Sequence, residues 1–273
     1  MLVRGAITVL SGLFDAVFRP SQFVNAQRAT YSTSRLAVIS QVLNISAVWA
    51  INLTLYALPL TLAGIGFTAT GDAPPSFAAT VEPFVRSPDT AWQLLVGFVQ
   101  NSVFLTVATV IALIAFHGSV LVARGSRGIV QSIHTVVYTT SAYLAGMFTV
   151  VMYLSTASGV DRTREFVVNL QANVIQWTID LMGVDLSLSG IDPGPLTLAG
   201  ISQTGASLLS VLTVLTFYFI YSMYLGARLN HEMSRTGGVI VIVSVLASPV
   251  VYIAGSAAVT ILFETYGIQV LPL

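Results

Sequence analysis

From Thr90 to Ala123 the chain reads TAWQLLVGFVQNSVFLTVATVIALIAFHGSVLVA, 34 residues without one charged side chain. A helix of about 20 mostly apolar residues crosses the hydrocarbon core of a bilayer, so this stretch reads as a membrane span with its ends included. A short basic turn follows, Arg124-Gly125-Ser126-Arg127-Gly128, and then 128–160 is again free of charge. Three further windows, 36–71, 193–227 and 236–263, have comparable length, whereas the next longest, 166–179, has only 14 residues. The five windows predict five spans with apolar cores at about 37–63, 94–116, 130–155, 207–227 and 238–262. Over all 273 residues only 8% are charged, against about one quarter in a soluble domain. The expected fold class is all-α, a polytopic membrane protein of five transmembrane helices.

The charges that flank the windows orient the chain. Arg4, Arg19, Arg28 and Arg35 precede span one, Arg124 and Arg127 join spans two and three, and Arg228 and Arg235 join spans four and five. Across the membrane lie Arg86, Arg162 and Arg164, with nine of the 11 acids. By the positive-inside rule the N-terminus is expected in the cytoplasm and the C-terminus outside the cell membrane. Two units follow: a cytoplasmic N-terminal amphipathic segment, 1–35, and a five-span membrane domain, 36–273. In the first, Ile7, Leu10, Leu13, Phe14, Val17 and Phe18 recur at helical spacing, which predicts an interfacial helix ended by Pro20. No small-residue cleavage site follows it, so it is expected to be retained. A second amphipathic helix is expected outside, from Glu165 to Met182. Glu165, Asn169, Asn173, Gln176 and Asp180 form its polar face, and Phe166, Leu170, Val174, Trp177 and Leu181 line the apolar one.

Composition removes several chemistries. With no cysteine there is no disulfide, thiolate metal site or cysteine nucleophile. All 11 basic residues are arginine, so lysine Schiff-base chemistry and a phosphate-loop lysine are absent. Zero net charge gives no footprint for nucleic acid. Arginine-only basicity with abundant Ala, Val, Gly and Thr suits a GC-rich genome of the haloarchaeal or actinobacterial kind.

Two stretches echo one another, FHGSVLVARGSRGIVQSIHTVVYTTSAYLAG at 116–146 and FYFIYSMYLGARLNHEMSRTGGVIVIVSVLASPVVYIAG at 217–255. Each has an Ala-Arg pair leaving one span, a Ser-Arg pair entering the next, and a Tyr-Leu/Ile-Ala-Gly run deep in the second span. A repeated unit accounts for this, and so does convergent composition of arginine-anchored hairpins.

Phe18-Arg19-Pro20-Ser21-Gln22-Phe23 before the first span resembles the entry of prokaryotic, haloarchaeal-type Yip1-domain membrane proteins. His117, the Arg124–Gly128 turn, Tyr138 and Ser141, and Gly226, His231 and Ser234 extend the resemblance over most of the chain. It implies five spans with the N-terminus inside and no catalytic residue. The Asp-Leu-x-Gly-Pro type motif of eukaryotic members is missing, since Ala-Val-Phe follows Asp15, and Rab-type partners are not implied.

Between the charge boundaries the spans hold no Asp, Glu or Arg, although a charge there is the usual mark of an ion or proton pathway. Neutral polar groups remain, chiefly Asn44, Asn52, Asn101, Gln131 and His134, whose expected role is hydrogen bonding between helices. A solute path is the competing reading. His117, His134 and His231 can all approach the cytoplasmic interface, yet no His-x-x-x-His spacing supports a metal site, and no cofactor is expected. Asp180, Asp185 and Asp192 read as solvated charges. Arg124, Arg127, Arg228 and Arg235 are expected to meet lipid phosphates or, less simply, a protein partner. Together these features predict a non-enzymatic organiser or scaffold whose partners are membrane lipids and either a second copy or another membrane protein. The alternative is a channel or transporter for a neutral or apolar solute through spans one to three.

Overall fold

Ser87 starts the second membrane helix: its hydroxyl accepts from the Thr90 N–H at 3.3 Å, and Pro88 takes the first helical position. At that position the N–H that proline lacks would have no helical partner anyway. The helix therefore begins six residues before the apolar core that starts at Leu94. Residues 35–64, 70–125, 128–183 and 194–265 are described in the computed structural model. The expected N-terminal interfacial helix, Arg127, Asp185 and Asp192 lie outside them. The described elements are α1 (Arg35–Leu62), α2 (Pro75–Val81), α3 (Pro88–Val122), α4 (Ile129–Thr156), α5 (Asp161–Met182), α6 (Gln203–Leu225), α7 (Arg235–Leu246) and α8 (Ser248–Thr265).

Among the described residues five stretches are long and apolar enough to cross a membrane: Ile39–Leu62, Pro88–Val122, Ile129–Thr156, Gln203–Asn230 and Arg235–Val259. The chain is an all-helical, multi-pass membrane protein, with no strand among the described residues. Two spans are less regular than their sequences suggest. Span four continues from α6 through a π-helical turn, Gly226–Asn230. Span five breaks at Ala247 between α7 and α8, because Pro249 has no N–H to offer the Val245 carbonyl. The connection between spans one and two also holds a short helix, α2, with Pro75 at its start.

Span three is the centre of the bundle. Half of its apolar window, 50%, is buried within the protein, against 11% for span four. α4 packs on α1, α6 and α3, while α3 packs on α1, α7 and α8. Consequently the hairpin α3–α4 meets the hairpin α6–α7 through two contacts, α3 on α7 and α4 on α6. Exchanging the two hairpins turns one contact into the other, as a two-fold axis along the membrane normal would. The echo in the sequence thus corresponds to an echo in the packing.

The main apolar core lies where these four helices converge near the turns. Phe116 and Val120 of α3, Val136 of α4, Met223 of α6 and Val241, Ile242 and Val245 of α7 close around Ala227 and Met233. Phe104 of α3 sits between the rings of Tyr56 on α1 and Tyr252 on α8, at 6.0 and 5.1 Å. At the opposite end α5 packs on α8, α4 and α6. It buries Thr163, Ala172, Thr178 and Ile179 and leaves Leu170, Val174, Trp177 and Leu181 exposed in one stripe. Its polar face is in use: the Asn173 amide donates to the Asn169 and Gly194 carbonyls at 2.8 and 3.1 Å.

Candidate functional site

The turn between α3 and α4 opens with a helix stop of the Schellman type. The Gly125 N–H donates to the Val120 carbonyl and the Arg124 N–H to that of Leu121, both at 3.0 Å. This geometry puts Arg124 in the left-handed region at φ 56°. Glycine is the residue that occupies such a position without strain. Here glycine comes one place later, where a Cβ on Gly125 would stand 2.6 Å from the Met233 side chain. Close approach of the second turn therefore claims the glycine, and the strained position falls to an exposed arginine.

The second turn is pinned from several sides. Arg228, half-buried, donates from Nη1 to the Met233 carbonyl at 3.1 Å. Ser234 caps α7 by accepting from the Gly237 N–H at 3.1 Å, leaving Arg235 exposed at the helix start. Glu232 between them has a positive φ of 53°. Gly226 lies directly against the Thr135 methyl of α4, so a Cβ there would collide with it. The same threonine accepts from the Asn230 amide at 2.8 Å.

Between the two turns three polar side chains meet. Ser132 of α4, fully buried, has its Oγ 2.8 Å from His117 Nδ1 on α3 and 3.1 Å from His231 Nε2 in the second turn. His231 is 1% exposed and its ring tilts against Phe116 with centroids 5.8 Å apart. Burial holds its pKa down to about 4, with His117 nearby acting in the same direction. Both imidazoles bear on one hydroxyl, which can donate only one proton and accept in return.

The residues anticipated from the sequence separate into groups. Of the histidines, His117 and His231 come together and His134 stands apart, stacked flat on Tyr138 with centroids 4.1 Å apart. Asn101 of α3 is buried and donates to Thr61 Oγ1 of α1 at 3.2 Å and to the Gly97 carbonyl at 2.8 Å. Asn44 is half-buried on α1 and is not part of either assembly. Gln131 folds back on Gly128, its Oε1 2.8 Å from where a Cβ would lie. Arg124, Arg228 and Arg235 all border the two adjoining turns. No group of three or more metal-ligating His or acidic side chains occurs among the described residues.

Ser132, Thr135 and Asn230 were not singled out as a set. One signal exists for the first: His117 lies five residues before the end of α3 and Ser132 three after the start of α4, so an antiparallel helical pair brings them to similar depth. Nothing local connects either to His231, whose partner lies 99 positions away.

The fold and this junction define a five-span membrane protein built of a first helix and two interlocked hairpins. The chain matches no family model, no curated protein and no solved structure. The Yip1-family resemblance accordingly rests on its short motifs alone.

Proposed function

We propose that this is a non-enzymatic, Yip1-like membrane-organising protein of a prokaryotic cell membrane, with its two basic turns facing the cytoplasm and holding anionic lipid headgroups. The observation that carries the reading is Arg124. A left-handed backbone costs a side-chain-bearing residue about 1–2 kcal/mol, and the residue that takes that position here is an arginine exposed on the surface of the turn. Arg228 and Arg235 flank the same surface, and each basic group near an anionic leaflet contributes about 1 kcal/mol. Asn52 and Asn101, used between helices, fit a rigid scaffold.

Arg124→Gly in nanodiscs tests the proposal. Thermal stability in neutral lipid should rise while retention of anionic lipid through purification falls, most clearly with Arg235→Gln added. Unchanged lipid retention in the double variant would remove the headgroup role. Recovery of a second copy or another membrane protein from native membranes would support the organising role, and a solitary monomer in mild detergent would oppose it.

A channel for a neutral or apolar solute is the alternative, drawn from Asn52 Oδ1 and Ser102 Oγ, which are buried without a hydrogen-bond partner. Solute flux in vesicles that disappears on Asn101→Leu and Gln131→Leu would favour it.

A further inference from the structure

We propose that His117, Ser132 and His231 form a one-proton clasp between the two hairpins, one that stays closed when it takes up a single proton and opens on the second.

The argument is a count of hydrogens. Ser132 Oγ touches His117 Nδ1 at 2.8 Å and His231 Nε2 at 3.1 Å. Its single hydrogen goes to one ring nitrogen, so the other nitrogen must carry a hydrogen and donate to the oxygen. His117 is half-buried and His231 almost wholly buried. The outer nitrogen of His117 is therefore the easier route for a proton. The chain then runs from His117 Nδ1–H to Oγ, and from Oγ–H to His231 Nε2. A first proton on His117 Nε2 leaves both hydrogen bonds intact. It can also pass along the hydroxyl, so that either ring bears the charge.

A second proton has no such place. It must bind His231 Nε2, the atom that accepts from the hydroxyl; both N–H groups then donate to Oγ, and the O–H loses its acceptor within the clasp. It also sets two cationic rings with their contact nitrogens at most about 6 Å apart in a water-poor junction, where like charges repel strongly. Burial already opposes a charge on His231.

The titratable and charged groups on the surrounding elements are few. Arg124 lies at the end of α3, His134 on α4, Tyr224 on α6, Arg228 and Glu232 in the second turn and Arg235 at the start of α7. α1 brings no titratable side chain between Ile39 and Val48. Glu232 is exposed, and Arg228 is directed to the Met233 carbonyl. Opening would remove one of the holds on the second turn, next to the Asn230 that bonds Thr135.

Imidazole nitrogen resonances and amide exchange of residues 226–234, followed in nanodiscs from pH 8 to pH 4, test the clasp. Two steps should appear for the His117–His231 pair. After correction for intrinsic exchange, protection of 226–234 should be unchanged across the first step and fall about tenfold across the second. Ser132→Ala should abolish the two-step coupling. His117→Gln, which keeps a hydrogen-bonding group without a titrating ring, should remain protected to lower pH than the native protein. Protection that is flat through both steps, or that falls with the first, would overturn the clasp. So would retention of the full two-step pattern in Ser132→Ala.

Discussion

Asn52 of α1 and Val137 of α4 are joined in the middle of the bundle, the asparagine amide donating to the valine carbonyl at 2.9 Å with Asn52 fully buried. Ser141 donates to the same carbonyl at 2.9 Å, so the carbonyl stays occupied when either partner is removed. Asn52→Leu should therefore destabilise the protein by only about 1 kcal/mol, the usual worth of such a bond within a membrane. Asn52→Asp should cost at least about 2.5 kcal/mol, because it sets a charge at that depth. Reversible unfolding in bicelles measures both, and equal losses would contradict the assignment.

Gly226 is held against the Thr135 methyl. Gly226→Ala should cost about 1–3 kcal/mol through overpacking, whereas Gly118→Ala and Gly255→Ala, which meet open space, should be close to neutral. Adding Thr135→Ser removes the methyl, keeps the hydroxyl that Asn230 needs, and should restore most of the loss.

His231 sets an acid limit on stability. Its folded pKa of about 4 lies below the ordinary value of 6.5, so the folded state binds this proton less readily than the unfolded state. The stability it protects is complete above about pH 6.5 and is lost progressively as the pH falls towards 4. Thermal melting should show that loss, and His231→Gln should flatten it within the same window. A slope in that variant equal to the native one would assign the acid sensitivity to other groups.

Trp177 stands in the exposed stripe of α5 with Leu170, Val174 and Leu181. If α5 lies in the membrane interface, Trp177 emission in a Trp49→Phe, Trp92→Phe protein should be blue-shifted and quenched more by lipid brominated near the headgroup than by lipid brominated deep in the chain. Red-shifted emission quenched by iodide would place the stripe in water.

The spans were legible because a charge inside a bilayer is costly, so the gaps between arginines and acids mark the helices directly. Helix ends were less so. The apolar core of span two begins at Leu94, but Ser87 and Pro88 supply the capping that starts the helix earlier. Pro249 lacks the N–H that a continuous helix needs, and span five breaks at Ala247. The clasp was hidden for a different reason. Ser132 is one of many hydroxyl residues in these helices, and many of those simply bond the carbonyl four residues back, as Thr106, Ser207 and Thr216 do. Only the crossing of the two hairpins distinguishes it, and crossing is a property of the assembled bundle.

The separation of Ser132 and His231 also bears on how the chain is made. Synthesis proceeds at about 5–20 residues per second, so the 99 positions between them correspond to roughly 5–20 s during which Ser132 has left the ribosome without its later partner. Through that interval the first hairpin is held by the packing of α3 on α4, by the His117–Ser132 contact and by α1. A pause or truncation before residue 231 would leave Ser132 without that partner.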